Sequence, residues 1–377
     1  MTASPVHDVV VIGGGPAGLA TSIAARQQGL DVLVIDRATP PIDKPCGEGV
    51  MPTGVEALAR LGIQLADQGR PFRGIRYVGD GVSVRADFPG VHGMALRRPV
   101  LHQLLIDRAE EVGVHFAWTT PVRGLKGSLV QLDDGAVTGR WVVGADGLHS
   151  RVRRWTGLER PSRRRARFGV RRHYRMTPWS DDVEVHWADR CEAYVWGASN
   201  DEVGVAMLWS GEKSDFNHLL DRFPALGERL ADAPVSNRDQ GAGPFDQRPH
   251  KLFLERTVLV GDAAGYRDAI TGEGLGIAFG QALALAQCLA RNDLRPYPRA
   301  VRRLTRRPYL FIRALLAAEG RPTVRRRFLR RLAAQPDLFG RLLATASGRA
   351  PLSAFLWRSA VQLGVGLLSK GAPDQAE

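Results

Sequence analysis

Short β-branched runs alternate with longer amphipathic stretches through the first 150 residues. Val9-Val10-Val11-Ile12, within the run Val6 to Ile12, reads as a buried parallel strand. Ala17 to Gln28 predicts a helix ended by Gly29, and Val32 to Ile35 a second buried strand with Asp36 at its end. Together they form a complete βαβ unit. Thr39 to Pro52 is irregular, and Val55 to Leu61 is a short helix closed by Gly62. Ile75 to Phe88 alternates like strands around Gly79-Asp80-Gly81. In Pro99 to Val112, the residues Leu101, Leu104, Leu105, Ala109 and Val112 fall on one helical face. Val114 to Trp118, Val122 to Leu125 and Leu129 to Leu132 suggest a small β-meander, and Trp141 to Gly144 another buried strand.

From Phe168 to Trp209 short strands repeat, which predicts a separate antiparallel sheet. Thr257 to Val260 returns to a buried strand, followed by a helix from about Leu275 to Arg291. Beyond Arg295 the chain reads as helical, Arg-rich and interrupted by Pro308, Pro322 and Pro336. No internal repeat is visible.

Length and composition narrow the picture. The 377 residues allow two domains with real cores, and 44% hydrophobic residues make the chain globular. The net charge of +13 could point to nucleic acid, an anionic membrane or acidic ligands. Twelve arginines against one acid, Glu319, lie between Arg299 and Arg331, and a second basic run spans Arg160 to Arg175. No nucleic-acid-binding signature accompanies them, so no nucleic-acid partner is expected. The C-terminal helices could lie on anionic lipid or pack on the rest of the protein with a solvated basic face. Cys46, Cys191 and Cys288 are odd in number and far apart, which argues against a disulfide framework. The apolar run Ser359 to Leu368 is too short to span a bilayer. The expected location is the cytoplasm, with peripheral contact at the inner face of the membrane left open.

Gly13-x-Gly15-x-x-Gly18 follows a strand and opens a helix, and Asp36 lies 18 residues beyond Gly18. The glycines permit the tight turn and the close approach of a pyrophosphate. Pro16 and Ala17 begin the helix whose N–H groups would face it, and Asp36 would accept from ribose hydroxyls. This is a dinucleotide site, either NAD or FAD. No metal-ligand spacing appears at His149, His186 or His250, and no metal is expected.

Two further motifs decide between the dinucleotides. With Gly144-Ala145-Asp146-Gly147 and Val260-Gly261-Asp262-Ala263-Ala264, the chain resembles the flavoprotein group of aromatic hydroxylases and geranylgeranyl reductases, over roughly residues 5 to 290. The resemblance implies an α/β fold: a Rossmann-type FAD-binding domain (1–70, 93–160 and 250–295), an inserted antiparallel-sheet substrate domain (71–92 and 161–249) and a helical C-terminal region (296–377). It implies that Asp262 binds the ribityl chain, that Arg98 and Leu101 contact FAD, and that Asp146 and Gly147 lie near the pyrophosphate. Arg37 beside Asp36 is a further contact candidate. Thr271-Gly272-Glu273-Gly274-Leu275 would turn a helix N-terminus toward the flavin, where it favours the anionic reduced form. The Gly-Glu-Gly here matches the reductases rather than the Gly-Gln-Gly of the hydroxylases. Lys44-Pro45-Cys46-Gly47-Glu48-Gly49 also resembles a reductase segment near the isoalloxazine, which makes Cys46 and Gly47 candidates for contact. Tyr194 and Trp196 partly match a reductase segment, and either line the substrate cavity or pack the sheet.

The resulting expectation is an NAD(P)H-dependent FAD monooxygenase that hydroxylates a lipophilic aromatic or polyketide-type substrate with O2. The alternative is a reductase of isoprenoid double bonds, and a minor one a non-catalytic flavin-binding protein. NAD(P)H would bind transiently, since no second βαβ fingerprint is present, or a reduced protein would take its place.

Overall fold

The computed structural model describes residues 6–161 and 166–351. Its helices in chain order are α1 (Pro16–Arg26), α2 (Pro52–Arg60), α3 (Arg98–Glu111), α4 (Arg151–Trp155), α5 (Phe216–Leu220), α6 (Pro224–Leu230), α7 (Gly274–Ala290), α8 (Tyr297–Glu319), α9 (Pro322–Ala334) and α10 (Pro336–Ala346). Residues 162–165 of the second basic run and 352–377, with the apolar run at 359–368, lie outside the described residues.

The β-branched runs form the centre of the main sheet. Its order is Phe253–Leu254, Thr257–Leu259, Gly135–Gly144, Val6–Ile12, Val32–Ile35 and His115–Ala117. The central pairs are parallel, with Ile12 level with both Gly144 and Ile35, and Gly144 level with Leu259. The carboxyl ends of four strands therefore finish at one edge, where a doubly wound sheet places its ligand. Both faces are covered, which explains why these strands are apolar throughout. On one face Val9, Val11, Val32 and Val34 pack with Leu19 and Ile23 of α1, Leu105 of α3 and Phe279 of α7. On the other, Val10, Ile12 and Ile35 meet Val130, Val137 and Val152.

The second sheet runs Gln240–Ala242, Arg167–Arg175, Glu202–Ser210, Cys191–Gly197, Val183–Ala188, Gly74–Gly79 and Val82–Asp87. The segment around residues 74–87 joins it through a parallel pairing of Val183–His186 with Ile75–Val78. Side chains alternate as strand geometry requires. Cys191, Ala193 and Val195 point to a cluster with Phe216 and Leu219 of α5 and Leu226 of α6. Tyr194 and Trp196 point the other way, into a cluster with Phe311 and Ile312 of α8, Leu329 of α9 and Phe339 of α10. A small sheet of Gly49–Val50, Gly93–Ala95 and Arg70–Phe72 forms where the chain passes from the main sheet to the second one.

Two sequence expectations need correction. The run Val114 to Trp118 is not part of a meander: His115–Ala117 pairs in parallel with Leu33–Ile35 at the edge of the main sheet. Only Gly124–Lys126 and Leu129–Leu132 form antiparallel ladders, with the latter joined to Gly135–Thr138. Nor does Pro308 interrupt the helical region, because it lies inside α8. The missing N–H there is tolerated because Thr305, Phe311, Ile312 and Leu315 bury the same side of the helix on both flanks of the proline. Pro322 and Pro336 stand at the first positions of α9 and α10, where the N–H is unused in any helix.

Candidate functional site

The Gly13–Gly18 turn lies at the carboxyl edge of the main sheet. Gly13 has φ +113°, and a Cβ there would stand 2.5 Å from the Ala145 carbonyl oxygen. A Cβ on Gly18 would strike the Gly13 carbonyl oxygen. Backbone crowding thus requires both glycines. Gly15 differs, since apart from its chain neighbours no atom of the described residues lies within 4 Å of where its Cβ would be. It is the N-cap of α1, followed by Pro16 at the first turn, and no side chain caps that helix. The uncapped N–H groups and the open side at Gly15 make a cradle of the shape and polarity a phosphate takes.

Asp36 braces this turn. Its Oδ2 accepts from Gly14 N at 2.7 Å and its Oδ1 from Ala38 N at 2.9 Å. Each oxygen keeps a lone pair for a ribose hydroxyl. Arg37 beside it is exposed. His102, fully buried in α3, grips the turn from behind. Ile42 N donates to its Nδ1 at 3.1 Å, so its Nε2–H donates to the Gly14 carbonyl at 2.7 Å. Burial lowers its pKa, which keeps the ring neutral. Sequence reading passed over His102; a histidine on the same buried stripe as Leu101 and Leu105 was the available signal. Leu101 itself is buried in the main core.

The two Asp-containing motifs converge on this turn. Asp146 Oδ2 accepts from Arg151 N at 2.6 Å and Val152 N at 3.1 Å, capping α4, while its buried Oδ1 has no partner among the described residues. Gly147 follows with φ +82°. Arg153 is fully buried and donates to the carbonyls of Leu148 at 2.9 Å and Ala263 at 3.1 Å, tying the two motifs together. Gly261 N donates to Gln281 Oε1 at 2.7 Å, and a Cβ on Gly261 would stand 2.5 Å from the Ala17 Cβ. Asp262 is half-buried. Burial raises its pKa, against the pull of Arg98, Lys44 and Arg153. The buried Nε of Arg98 has no partner among the described residues, so this corner holds a cation without a complete set of acceptors.

The segment carrying Cys46 is held from one side by an ion network. Cys46 is half-buried, Gly47 is exposed, and Glu48 N donates to the Cys46 sulfur at 3.3 Å. Glu48 has φ +52° and is 1% exposed. Its carboxylate accepts from Arg171 Nη1 at 2.7 Å, His173 Nε2 at 2.7 Å and Arg98 N at 3.0 Å. Arg171 continues to Asp43 at 3.1 Å and Gln240 at 3.0 Å. Asn237 Nδ2 donates to His173 Nδ1, which leaves Nε2 as the donor to Glu48. The His173 ring stands edge-on to Trp196, which is 3% exposed and packs in the sheet. The sequence carries only one local sign of this role for Glu48, a charged residue set between two glycines.

Opposite lies the turn before α7. Gly272 has φ +67°, Glu273 is the buried N-cap, and Gly274 and Leu275 begin the helix. Thr53 Oγ1 of α2 donates to Glu273 Oε2 at 3.1 Å, and burial pushes the Glu273 carboxyl up to about 7. Tyr194 donates its hydroxyl to the Ile270 carbonyl at 2.9 Å, linking the second sheet to this turn. A second buried ion network holds the turn in place. Arg167 reaches Asp268 at 2.8 Å, Glu192 at 2.9 Å and Glu319 at 3.1 Å. Burial pushes Glu192 up to about 8, since three carboxyls share one guanidinium. Beside this turn is a cavity lined by Asp262, Tyr266, Thr271 and Gly274 together with Tyr309 and Ile312 of α8. Burial raises the Tyr266 hydroxyl well above its ordinary range, and Asp262, Asp268 and Cys46 push it further. No cluster that could hold a metal occurs among the described residues.

Comparison with known proteins agrees with this geometry. A family model described as FAD binding domain matches residues 6–232. The menaquinone reductase of Mycobacterium tuberculosis is 38% identical over 335 residues, covering 78% of this chain and 79% of the relative. Digeranylgeranylglycerophospholipid reductase 2 of Methanopyrus kandleri is 30% identical over 302 residues, covering 71% and 73%. In fold, a flavoprotein/dehydrogenase from Cytophaga hutchinsonii superposes with a TM-score of 0.81 at 17% identity, over 96% of this chain and 99% of that one.

Proposed function

Because the chain belongs to the FAD binding domain family and to the FAD-dependent oxidoreductases, we propose that it is a reductase that saturates an isoprenoid double bond in a lipid with a long polyprenyl tail. The observation that carries this reading is that Tyr266, Ile277, Tyr309 and Ile312 give the cavity an apolar side, backed by a buried apolar cluster. Tyr266 and Ile270, beside the cavity, belong to the same cluster as Tyr194, Trp196, Phe311 and Ile312. A bulky, flexible hydrocarbon suits such a lining, and both relatives are named for substrates with isoprenoid chains. The oxygenation reading favoured by sequence alone is the second outcome that the experiment below separates.

The residues present fit FAD. The open cradle at Gly15, the partnerless Nε of Arg98 and the spare lone pairs of Asp36 and Asp146 are what its phosphates and hydroxyls would complete. The N-terminus of α1 would hold the pyrophosphate, Asp36 the adenosine ribose, Asp262 the ribityl chain, and the N-terminus of α7 the flavin edge. When bound, FAD supplies hydride transfer between a reductant and the substrate. The protein supplies position and a dry cavity: Glu48 fixes the Cys46 segment, Tyr194 fixes the turn at Ile270, and α8 closes the far side. Burial holds the Glu273 carboxyl up to about 7 at the start of α7. NAD(P)H would bind transiently, or a reduced protein would serve. The reading places the protein in the cytoplasm, and its three unpaired cysteines support that.

The test is a single assay with two gases. Holoenzyme reduced without O2 is mixed with a polyprenyl quinone or a geranylgeranyl lipid, and the product is weighed by mass spectrometry. A gain of H2 under argon that persists after the quinone ring is reoxidised in air supports saturation of the isoprenoid chain. Turnover that needs O2 and adds an oxygen atom establishes the oxygenase instead. Gly15→Ala should leave the apoprotein as stable as before and weaken FAD binding about tenfold or more, because only the cofactor occupies that space.

A further inference from the structure

α8 has two faces of opposite character. Tyr309 and Ile312 line the cavity, and Phe311, Ile312 and Leu315 are buried in the apolar cluster that continues it. The outer face presents Arg299, Arg302, Arg303, Arg306 and Arg313, all exposed. Their spacing of three and four residues puts them in one stripe, about 20 Å long at the helical rise. Leu310, 42% exposed, sits inside this stripe. None of the five arginines has an acidic partner among the described residues, and no acid stands at an exposed position of α8, since Glu319 is buried against Arg167. Like charges at this spacing weaken a helix, so the stripe is not explained by the stability of α8.

We propose that this outer face of α8 docks on an anionic lipid surface. Five unpaired guanidinium groups along one line match a plane of lipid phosphates. The exposed Leu310 among them adds an apolar contact at the headgroup boundary, which a nucleic-acid groove would not use. No described helix is long and apolar enough to cross a membrane, so the contact is a peripheral one. The opposite face of the same helix borders the cavity, so docking brings the cavity within one helix diameter, roughly 10 Å, of the layer that holds a polyprenyl lipid. That last step rests on the lipid-substrate reading above; the docking itself does not.

Full-length holoenzyme is sedimented with vesicles of phosphatidylcholine, with or without phosphatidylglycerol. Binding should require phosphatidylglycerol and weaken with added salt. The variant Arg302→Gln/Arg306→Gln/Arg313→Gln should lose affinity on the order of a hundredfold. It should keep the flavin spectrum and the turnover of a short-chain substrate dispersed in detergent, while turnover of a substrate embedded in vesicles falls. Equal binding to both vesicle types, or a variant that binds phosphatidylglycerol as the parent does, overturns the proposal. So does tighter binding to duplex DNA or RNA that displaces the vesicles. Docking without any lipid turnover would leave the surface established and defeat the reductase reading alone.

Discussion

Two buried ion networks fasten the second sheet to neighbouring segments, and they are balanced in opposite ways. Glu48 gathers Arg171, His173 and the N–H of Arg98 around one carboxylate, with Arg97 Nε at 3.6 Å. Arg167 gathers Glu192, Asp268 and Glu319 around one guanidinium. The first is rich in cations and holds the Cys46 segment. The second is rich in acids and holds the turn before α7. Buried charge is tolerated in both because each is paired, and in the acid-rich network burial pushes the Glu192 carboxyl up to about 8. The acid-rich network, which includes Asp268 in the cavity lining, therefore carries a pH dependence near neutrality.

The largest effect is expected from Arg167→Leu, which leaves three buried carboxyls without their cation. Denaturant unfolding should show a loss of about 3–5 kcal/mol at pH 8 and a smaller one at pH 5, where the carboxyls are protonated. Equal losses at both pH values would remove the asymmetry between the networks. Next is Glu48→Ala, which strands Arg171 and His173. It should cost about 3 kcal/mol, with a protease cut appearing near residues 43–49 in the same samples. Glu192→Gln is a gentler probe. Burial holds the Glu192 carboxyl up to about 8, so the folded protein keeps a proton that the unfolded chain gives up near the ordinary value. Stability tied to this group is present at low pH and is lost as pH rises toward about 8. The variant should flatten that decline between pH 5 and 8; an unchanged slope would assign the proton to another group. The smallest effect is expected from Asp43→Asn. This half-exposed carboxylate only extends the cationic network, and its loss should cost about 1 kcal/mol or less in the same unfolding assay.

The same contrast separates what was legible in the sequence from what was not. The βαβ unit is legible because strand, turn, helix and Asp36 fall within about 30 residues and follow local patterns. The Asp146 and Asp262 motifs are legible as short signatures. Glu48 is not, because its partners lie at positions 98, 171 and 173, and no periodicity links them. Arg167, Arg171 and Arg172 read as part of a basic run, yet Arg167 and Arg171 are buried ion-pair centres, and Arg172 pairs with Asp239 at 2.7 Å. Charge counts carry no direction, whereas strand alternation turns neighbouring arginines to opposite faces. Pro308 misled for a related reason: a helix breaker was judged without the packing that overrides it.

The contact between Gly261 and Ala17 has a consequence for biosynthesis. The phosphate cradle begins at Gly13, but its third wall is Gly261, itself fastened by Gln281. At about 5–20 residues per second, a ribosome takes some tens of seconds or less to travel between these points. Throughout that time the nascent chain carries a nucleotide-binding turn that lacks a wall. On the function proposed above, cofactor capture would wait for Gly261, and a chain truncated before it would lack the residue that packs against Ala17 of the turn.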